Sequence, residues 1–453
     1  MTRRRKHWGW GFEDQQPPPE QVEATAAAAR EQLGFAPAEV ERPVPLDAIE
    51  LPAPRLDPPA ALAHVCASDR YERVTHSYGK SYRDVLRAFR GRFDHPTDVV
   101  AHPEGEADVE RVHGLTLRHF PQSFEYSTLG GWIATRAGGH YATLQTHIDD
   151  FVESVRALTP RGLWASRRLP GSGAGPSPDR MLIGSEGILG VITEAWMRVQ
   201  DAPRFKKSAA VLFDSFESGA RAVRALSQSG LHPSNCRLLD REEAALTGAA
   251  TERKALLLLG FESADHDLDS WMSRALEICR DSHGQVRRSE DGNGRGESES
   301  AWRDAFLQAP YLRDTLIAGG IFVETFETAV TWDRFDELVA AVREQTREAL
   351  GGEGIVTCRL THAYPDGAAP YFTVLAPARR GDELAQWDEV KTAASEAIAA
   401  GGGTITHHHA VGRDHRPWYD RQRPDPFADA LRAAKAAVDP AGILNPGVLI
   451  DPE

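Results

Sequence analysis

The chain has 453 residues, 41% of them hydrophobic and 26% charged, and carries a formal net charge of −14. That length is enough for two or three domains with ample core. The acidic balance argues against a nucleic-acid partner, whose phosphates require clustered Lys and Arg. It leaves at most peripheral contact with an anionic bilayer. No apolar run approaches the roughly 18 residues of a spanning helix, and the basic start MTRRRKHW lacks the apolar stretch of a signal peptide. Cys66, Cys236, Cys279 and Cys358 show no CxxC spacing and read as reduced thiols, so the expected compartment is the cytoplasm.

Residues 1–58 form a Pro-rich arm around one Ala-rich helix, predicted over 22–35. Residues 59–201 alternate helices with short strands. Within them, 151–159 and 190–199 carry β-branched residues near period two and predict strands. The Pro/Gly/Ser-rich stretch 168–180 is a loop, entering the next turn through a short helix that begins near Pro178. From 202 to 400 the pattern changes. Segments 206–230, 251–282 and 321–350 each read as a strand followed by an amphipathic helix, which predicts an antiparallel sheet with helices on one side. The polar, Gly/Ser-rich tract 281–300 predicts an exposed loop. The last segment, 401–453, holds a helix ending near Asp439-Pro440 and a turn at Asn445-Pro446-Gly447.

Three glycine-bearing turns lie close together in the second region: Gly130-Gly131, Gly138-Gly139, and Gly184, Gly187 and Gly190. Glycine admits φ > 0 and close approach of a ligand to the peptide, so such turns suit a ring system or a pyrophosphate. The segments PQSFEYSTLGGWIATRAGG and GSEGILGVITEA resemble the flavin-binding domain of the FAD-linked oxidase (vanillyl-alcohol oxidase, PCMH-type) superfamily, and within it the alkyldihydroxyacetonephosphate synthase group. The resemblance implies an α+β protein, a PCMH-type FAD domain at 59–201 with a substrate-binding α+β cap at 202–400. It implies FAD contacts from Gln122, Ser123, Phe124, Glu125, Tyr126, Ser127 and Thr128. It also implies contacts from Thr135, Arg136, Ala137 and Gly138, and from Glu186, Gly187, Ile188, Leu189, Gly190, Val191 and Ile192. GSEGILG is not the G-x-G-x-x-G of a Rossmann unit. The chain departs from the family pattern in one place. Family members carry a glycine-rich loop of the form PxGGGTS after a stretch like 99–112, whereas here that stretch runs directly into HGLTLRHFPQSFEYS. The FAD domain is therefore expected to be truncated, and FAD affinity reduced.

His407-His408-His409 follows a glycine-rich turn. In an extended segment His407 and His409 would share one face. No partner at ligand spacing completes a tetrahedral site, so no metal is expected. Tyr371, on a strand-like run, reads by itself as packing, and Arg237 and Arg313 read as surface ion-pair residues. The resemblance places all of these at an active site. Tyr371, His407, His408 and His409 are implied in catalysis, and Arg237 and Arg313 as forks for a phosphate monoester. Thr373 stands where the family has a second Tyr. The implied activity is an FAD-dependent exchange of the acyl group of acyl-dihydroxyacetone phosphate for a fatty alcohol. An FAD-linked 2-hydroxy-acid oxidase or dehydrogenase, or an inactive truncated paralogue, stays open on the same residues. The implied partner is a small lipid-phosphate or hydroxy-acid substrate, with a homodimer as one assembly open to it.

Overall fold

The computed structural model describes residues 3–57, 66–101, 115–124, 126–250, 252–287 and 297–451. The junction at 102–114, where the glycine-rich loop is missing from the sequence, and Glu125 lie outside the described residues. Among the described residues no helix is long and apolar enough to cross a membrane.

The larger half is built on an eight-stranded antiparallel sheet. Its strands run in the order Gln285–Val286, Phe205–Phe213, Ala255–Ser263, Asn235–Leu239, Ile355–Ala363, Gly367–Pro377 and Ile321–Glu327, and Val330–Thr331 pairs beside Gly367–Pro377. Side chains alternate across a strand, and the alternation sorts chemistry by face. Cys236, Leu238, Leu257, Leu259, Val356, Cys358, Phe372 and Val374 turn into one large core under the amphipathic helices. Arg237, Thr361, Arg359 and Tyr371 stand on the opposite face. Registers Glu327↔Tyr371 and Arg359↔Tyr371 put a carboxylate, a phenol and a guanidinium in one row across three adjacent strands.

That opposite face is not left bare, as helices on one side only would leave it. Helix Glu297–Ala318 crosses its end, where Trp302 packs in a second cluster with Leu239, Leu256 and Leu258. The continuous apolar run ALLLLGF is thus a strand covered on both faces. The tract 281–300 is likewise not loop throughout. Gln285–Val286 pairs with Val211 and Leu212, and the helix begins at Glu297. Pro310 sits inside that helix. With no N–H to give, it leaves the carbonyl of Phe306 open, and Gln122 Nε2 donates to it at 2.6 Å.

The smaller half is a three-stranded antiparallel sheet, Gly162–Ala165, Val152–Thr159 and Val191–Met197. Its core joins Ile133, Ile148, Leu182, Ile188 and Leu189 to Val448, Leu449 and Ile450, so the C-terminal segment returns to this half. The arm and the helices Arg70–Thr75 and Tyr82–Phe89 pack instead in the core of the large sheet, through Trp8, Ile49, Val74, Tyr82 and Phe89. One row of the small sheet, Leu163, Leu158 and Val191, is paired strand to strand yet 56–58% exposed. That is the face expected of a sheet whose covering strands are missing.

Two outcomes test this division. Tyr82 is 2% exposed, with its ring 4.9 Å from that of Phe322. Tyr82→Ala is expected to destabilise by about 3–5 kcal/mol in urea unfolding, as for other large aromatic truncations. Leu163→Lys, on the bare row, is expected to change stability by less than about 0.5 kcal/mol and to lower binding of a hydrophobic dye.

Candidate active site

The two halves enclose a cavity of about 1000 Å³. One wall comes from the smaller half and the segments leading into it: Gln122, Ser123, Ser127, Gly131, Trp132, Thr135, Ala137, Gly138 and Gly139. The other comes from the large sheet and its helices, with Arg237, Arg313, Arg359 and Tyr371. His408 and His409 complete it. The walls approach so closely at Gly138 that a Cβ there would stand 2.9 Å from the Cβ of His408.

The three histidines are not a strand. Residues 404–412 form a curled loop whose backbone N–H groups are collected by two carboxylates. Glu327, fully buried at the end of its strand, accepts from the N–H of His407 at 2.7 Å, of His408 at 3.0 Å and of His409 at 2.9 Å. It accepts in addition from the Thr406 hydroxyl at 2.7 Å. From the other half, Glu186 accepts from the N–H of Val411 at 2.7 Å and of Gly412 at 2.8 Å. Glu186 holds a left-handed φ of 48°, and Gly187 follows at 81°. The Asn445 side chain donates to the Glu186 carbonyl, which ties in the Asn445-Pro446-Gly447 turn. Burial pushes the Glu327 carboxyl up, but His408, His409, His407 and the backbone donors outweigh it and hold it well below the usual carboxylate range. Burial pushes Glu186 up against its two backbone donors. Burial also drives the His408 ring down, and His409 down to about 3, so both rings are neutral near pH 7.

Arg359 lies 3.8 Å over the Tyr371 ring, pairs with buried Glu243 and reaches the Thr373 hydroxyl at 3.3 Å. Burial pushes the Tyr371 phenol up while Arg359 pulls it down. Arg237 stacks at 3.9 Å on Trp302, and Arg313 donates to the Lys80 carbonyl at 2.6 Å. The Nε of Arg313 is buried with no hydrogen-bond partner among the described residues. Burial lowers Lys80 to about 8.

Not every residue singled out in the sequence reaches the cavity. His407 lies behind His408, with Nδ1 2.9 Å from His408 Nδ1. Tyr126 meets the Tyr311 hydroxyl at 2.9 Å, and Phe124 packs on Phe120. Thr128 caps helix Leu129–Thr135, and Arg136 pairs with Asp149 at 3.1 Å. Ile188 and Leu189 are core residues, Gly190 passes close to the Leu158 carbonyl, and Val191 and Ile192 are strand residues paired with Leu158 and Ala157. Sequence reading missed Arg359, Glu327 and His362. A lone charge inside the apolar run IVTCRLTHA is the signal that marks Arg359.

His362, His407 and His408 offer ring nitrogens within 4.8 Å of one another. Hydrogen bonds use them, however. His362 Nε2 donates to the Gly139 carbonyl and its Nδ1 meets Thr361, while His407 is bonded at both nitrogens. In this arrangement both nitrogens of each of those two rings lie against protein groups.

A model of the C-terminal domain of FAD linked oxidases matches residues 202–449, and one of an FAD binding domain matches 107–166. The chain belongs to the FAD-linked oxidase family. An alkyldihydroxyacetonephosphate synthase of Trypanosoma brucei brucei is 25% identical over 484 positions, covering 84% of this chain and 78% of that protein. One of Caenorhabditis elegans is 30% identical, over 75% of this chain and 61% of that protein. A solved alkyldihydroxyacetonephosphate synthase superposes with a TM-score of 0.78 at 20% identity, covering 97% of each chain, which establishes the shared fold. An alignment of 484 positions exceeds this chain's 453 residues, so that relative carries segments absent here. The α+β architecture with a PCMH-type FAD domain and the alkyldihydroxyacetonephosphate synthase-like family both stand.

The residues present fit the flavin end of FAD. The cavity has the volume of a cofactor site, and its wall offers the Trp132 ring, bare backbone at Gly131, Gly138 and Gly139, and the Ser123, Ser127 and Thr135 hydroxyls.

The titrations predict a pH dependence. Burial pushes His119 and His415 down to about 4 from an ordinary 6.5. The folded state therefore prefers them neutral, and their contribution is complete above about pH 6.5 and lost as pH falls towards 4. Among the described residues His119 has no hydrogen-bond partner at either ring nitrogen, so His119→Phe is expected to flatten the urea-midpoint profile between pH 6.5 and 4. Glu327→Gln, which strips the charge from four donors, is expected to cost at least about 2 kcal/mol at pH 7. Glu327's own contribution is present above its ordinary pKa of 4.5 and lost as pH falls below it. That acid loss is expected to be absent in the variant.

Proposed function

We propose that this protein catalyses an alkylglycerone-phosphate synthase exchange, in which the acyl group of acyl-dihydroxyacetone phosphate is replaced by a fatty alcohol. The observation that carries the reading is the convergence of Arg237, Arg313, Tyr371 and His408 on one cavity that is also walled by the flavin-side segments. The C1–O bond to the acyl group breaks, fatty acid leaves as carboxylate, a C1–O bond to the alcohol forms, and the alcohol gives up its proton. There is no net redox change. When bound, FAD supplies an electron-accepting ring system.

The chain's own residues supply position and proton transfer. Arg237 and Arg313 are permanently charged forks suited to a phosphate. Both are braced, by Trp302 and by the Lys80 carbonyl respectively. His408 is neutral at neutral pH and therefore able to take the C1 proton. Tyr371, pinned under Arg359, presents a phenol beside it, with ring centroids 6.2 Å apart. Gln122, Ser123, Ser127, Trp132 and Thr135 would hold the flavin. Phe120, Phe306, Pro310 and Val448 supply the apolar part of the lining against which a hydrocarbon chain can lie.

The test is incorporation of labelled fatty alcohol into lipid phosphate at saturating FAD. His408→Ala is expected to lower kcat by roughly 10²–10⁴, and Arg313→Lys to raise KM with a smaller change in kcat. Dye reduction by 2-hydroxy acids without alcohol incorporation would overturn the reading in favour of an oxidase or dehydrogenase. Because the family's glycine-rich loop is missing from the sequence, FAD affinity is expected to be weakened. Charge-assisted N–H bonds are worth roughly 1.5–3 kcal/mol each, so losing three costs on the order of a thousandfold or more. Titration followed by flavin fluorescence measures it, and sub-micromolar binding would contradict that expectation.

A further inference from the structure

A continuous hydrogen-bonded chain leaves the cavity through His408, passes the turn at Tyr364 and ends on His147, whose ring packs back against His407 at 4.4 Å between centroids. His408 Nδ1 is 2.9 Å from His407 Nδ1, and His407 Nε2 is 2.6 Å from the Tyr364 hydroxyl. That hydroxyl is 2.9 Å from Thr146 Oγ1, which is 3.1 Å from His147 Nδ1. The last ring is anchored, because His147 Nε2 lies 2.9 Å from the carbonyl oxygen of His407. Thr146 is buried, whereas Tyr364 and His147 are partly exposed. Tyr364 sits in the turn between strands Ile355–Ala363 and Gly367–Pro377. Its carbonyl accepts from the Ser227 hydroxyl at 2.9 Å and from Trp332 Nε1 at 3.0 Å, which fixes the turn.

With neutral rings, the anchor dictates every proton along the chain. A carbonyl only accepts, so His147 carries its proton on Nε2 and its Nδ1 accepts from Thr146. The Thr146 oxygen then accepts from Tyr364, and the Tyr364 oxygen accepts from the Nε2–H of His407. His407 Nδ1 in turn accepts from the Nδ1–H of His408. The nitrogen left with a lone pair is His408 Nε2, which makes no hydrogen bond among the described residues while its ring lines the cavity. The tautomer of the cavity histidine is thus set by the backbone carbonyl of His407, acting back through His147, Thr146, Tyr364 and the His407 ring.

We propose that His407, Tyr364, Thr146 and His147 form a proton relay that carries a proton from His408 to solvent. The proposal rests on the reading of His408 as the residue that takes the substrate proton. When a proton arrives on His408 Nε2, its Nδ1 proton passes to His407 Nδ1. The Nε2 proton of His407 then passes to Tyr364, the phenol proton to Thr146, and the Thr146 proton to His147 Nδ1. His147 becomes a cation and gives its Nε2 proton to water, breaking its bond to the His407 carbonyl, so one proton enters and one leaves. Return of a proton to the product runs the same chain backwards and restores the starting tautomers. Two groups face the relay from neighbouring elements. Glu327 stands 3.6 Å from His408 Nδ1, farther than His407 does. Asp149, two residues from His147, pairs with Arg136 and Arg180. Tyr364 and Thr146 are positioning and relay residues that do not line the cavity.

Two measurements test this, with Tyr364→Phe as the main variant and Thr146→Val as the second should the first fail to fold. In the full-length protein labelled with ¹⁵N-histidine, ring chemical shifts report tautomers without any substrate. Protonation of His408 on Nδ1 and of His407 on Nε2 is expected at pH 7.5, and a resting His408 protonated on Nε2 would overturn the relay. With substrate deuterated at C1 in ordinary water, the native protein is expected to lose the label, whereas either variant is expected to retain at least threefold more of it in product. KM is expected to stay within twofold. Equal retention in native protein and variant would overturn the relay, because loss of a merely structural contact lowers rate without trapping the label. Failure of the native protein to exchange acyl for alkyl would sink the functional reading alone, and the tautomer measurement would still decide the relay.

Discussion

Two buried carboxylates hold this molecule's chemistry in place by catching the same loop from opposite sides. Glu327, at the end of a strand of the large sheet, takes three successive backbone N–H groups, and Glu186, from the smaller half, takes two more. A peptide loop with its N–H groups converging is a natural anion cradle, and here the anions belong to the protein. The arrangement joins the halves at the one place where histidines must face both. It also explains the left-handed backbone at Glu186-Gly187 and the absence of any side chain at Gly138, where His408 comes to rest.

Other features depend on that join. Row pairing across three strands puts Glu327 beside Tyr371, and Tyr371 beside Arg359, so the carboxylate that shapes the loop also borders the phenol and guanidinium of the cavity. In this layer Arg359 is paired to Glu243, as buried ions must be to persist. The histidines stay neutral because burial outweighs the nearby carboxylate. A neutral ring in a hydrogen-bonded row has a defined lone pair, which a base requires. On the opposite wall Pro310 frees the Phe306 carbonyl that receives Gln122, so a helix defect becomes a contact between the halves.

The smaller half is where the chain departs from its relatives. Its three-stranded sheet leaves Leu163, Leu158 and Val191 largely exposed, and an alignment to a relative needs more positions than this chain has residues. Both observations point the same way as the missing glycine-rich turn in the sequence. The outer face of the small sheet is where the described residues show the shortening.

Much of the architecture was legible from period and punctuation alone. The apolar strands at 206–213 and 255–263, the helices after them, and the stop at Asp439-Pro440 all follow from local preference and appear in the structure where expected. The motif order of Arg237, Arg313, Tyr371 and the three histidines was likewise visible, and Arg237, Arg313, Tyr371, His408 and His409 share one cavity. Contacts made across the chain were not visible. Glu327 reads as an unremarkable charge at a strand end, because its donors are some 80 residues away. His407 reads as the equal of its neighbours, yet only His408 and His409 reach the cavity, because the loop curls around a carboxylate instead of extending. Tyr364 lies far in sequence from the consecutive pair Thr146 and His147, and the three become hydrogen-bonded neighbours only when the fold brings the turn at Tyr364 against Thr146. Local periodicity is encoded residue by residue, so the sequence by itself determined the elements and the types of chemistry they carry. Which side chains meet in the cavity depends on hydrogen bonds between distant segments, and only the tertiary structure decided it.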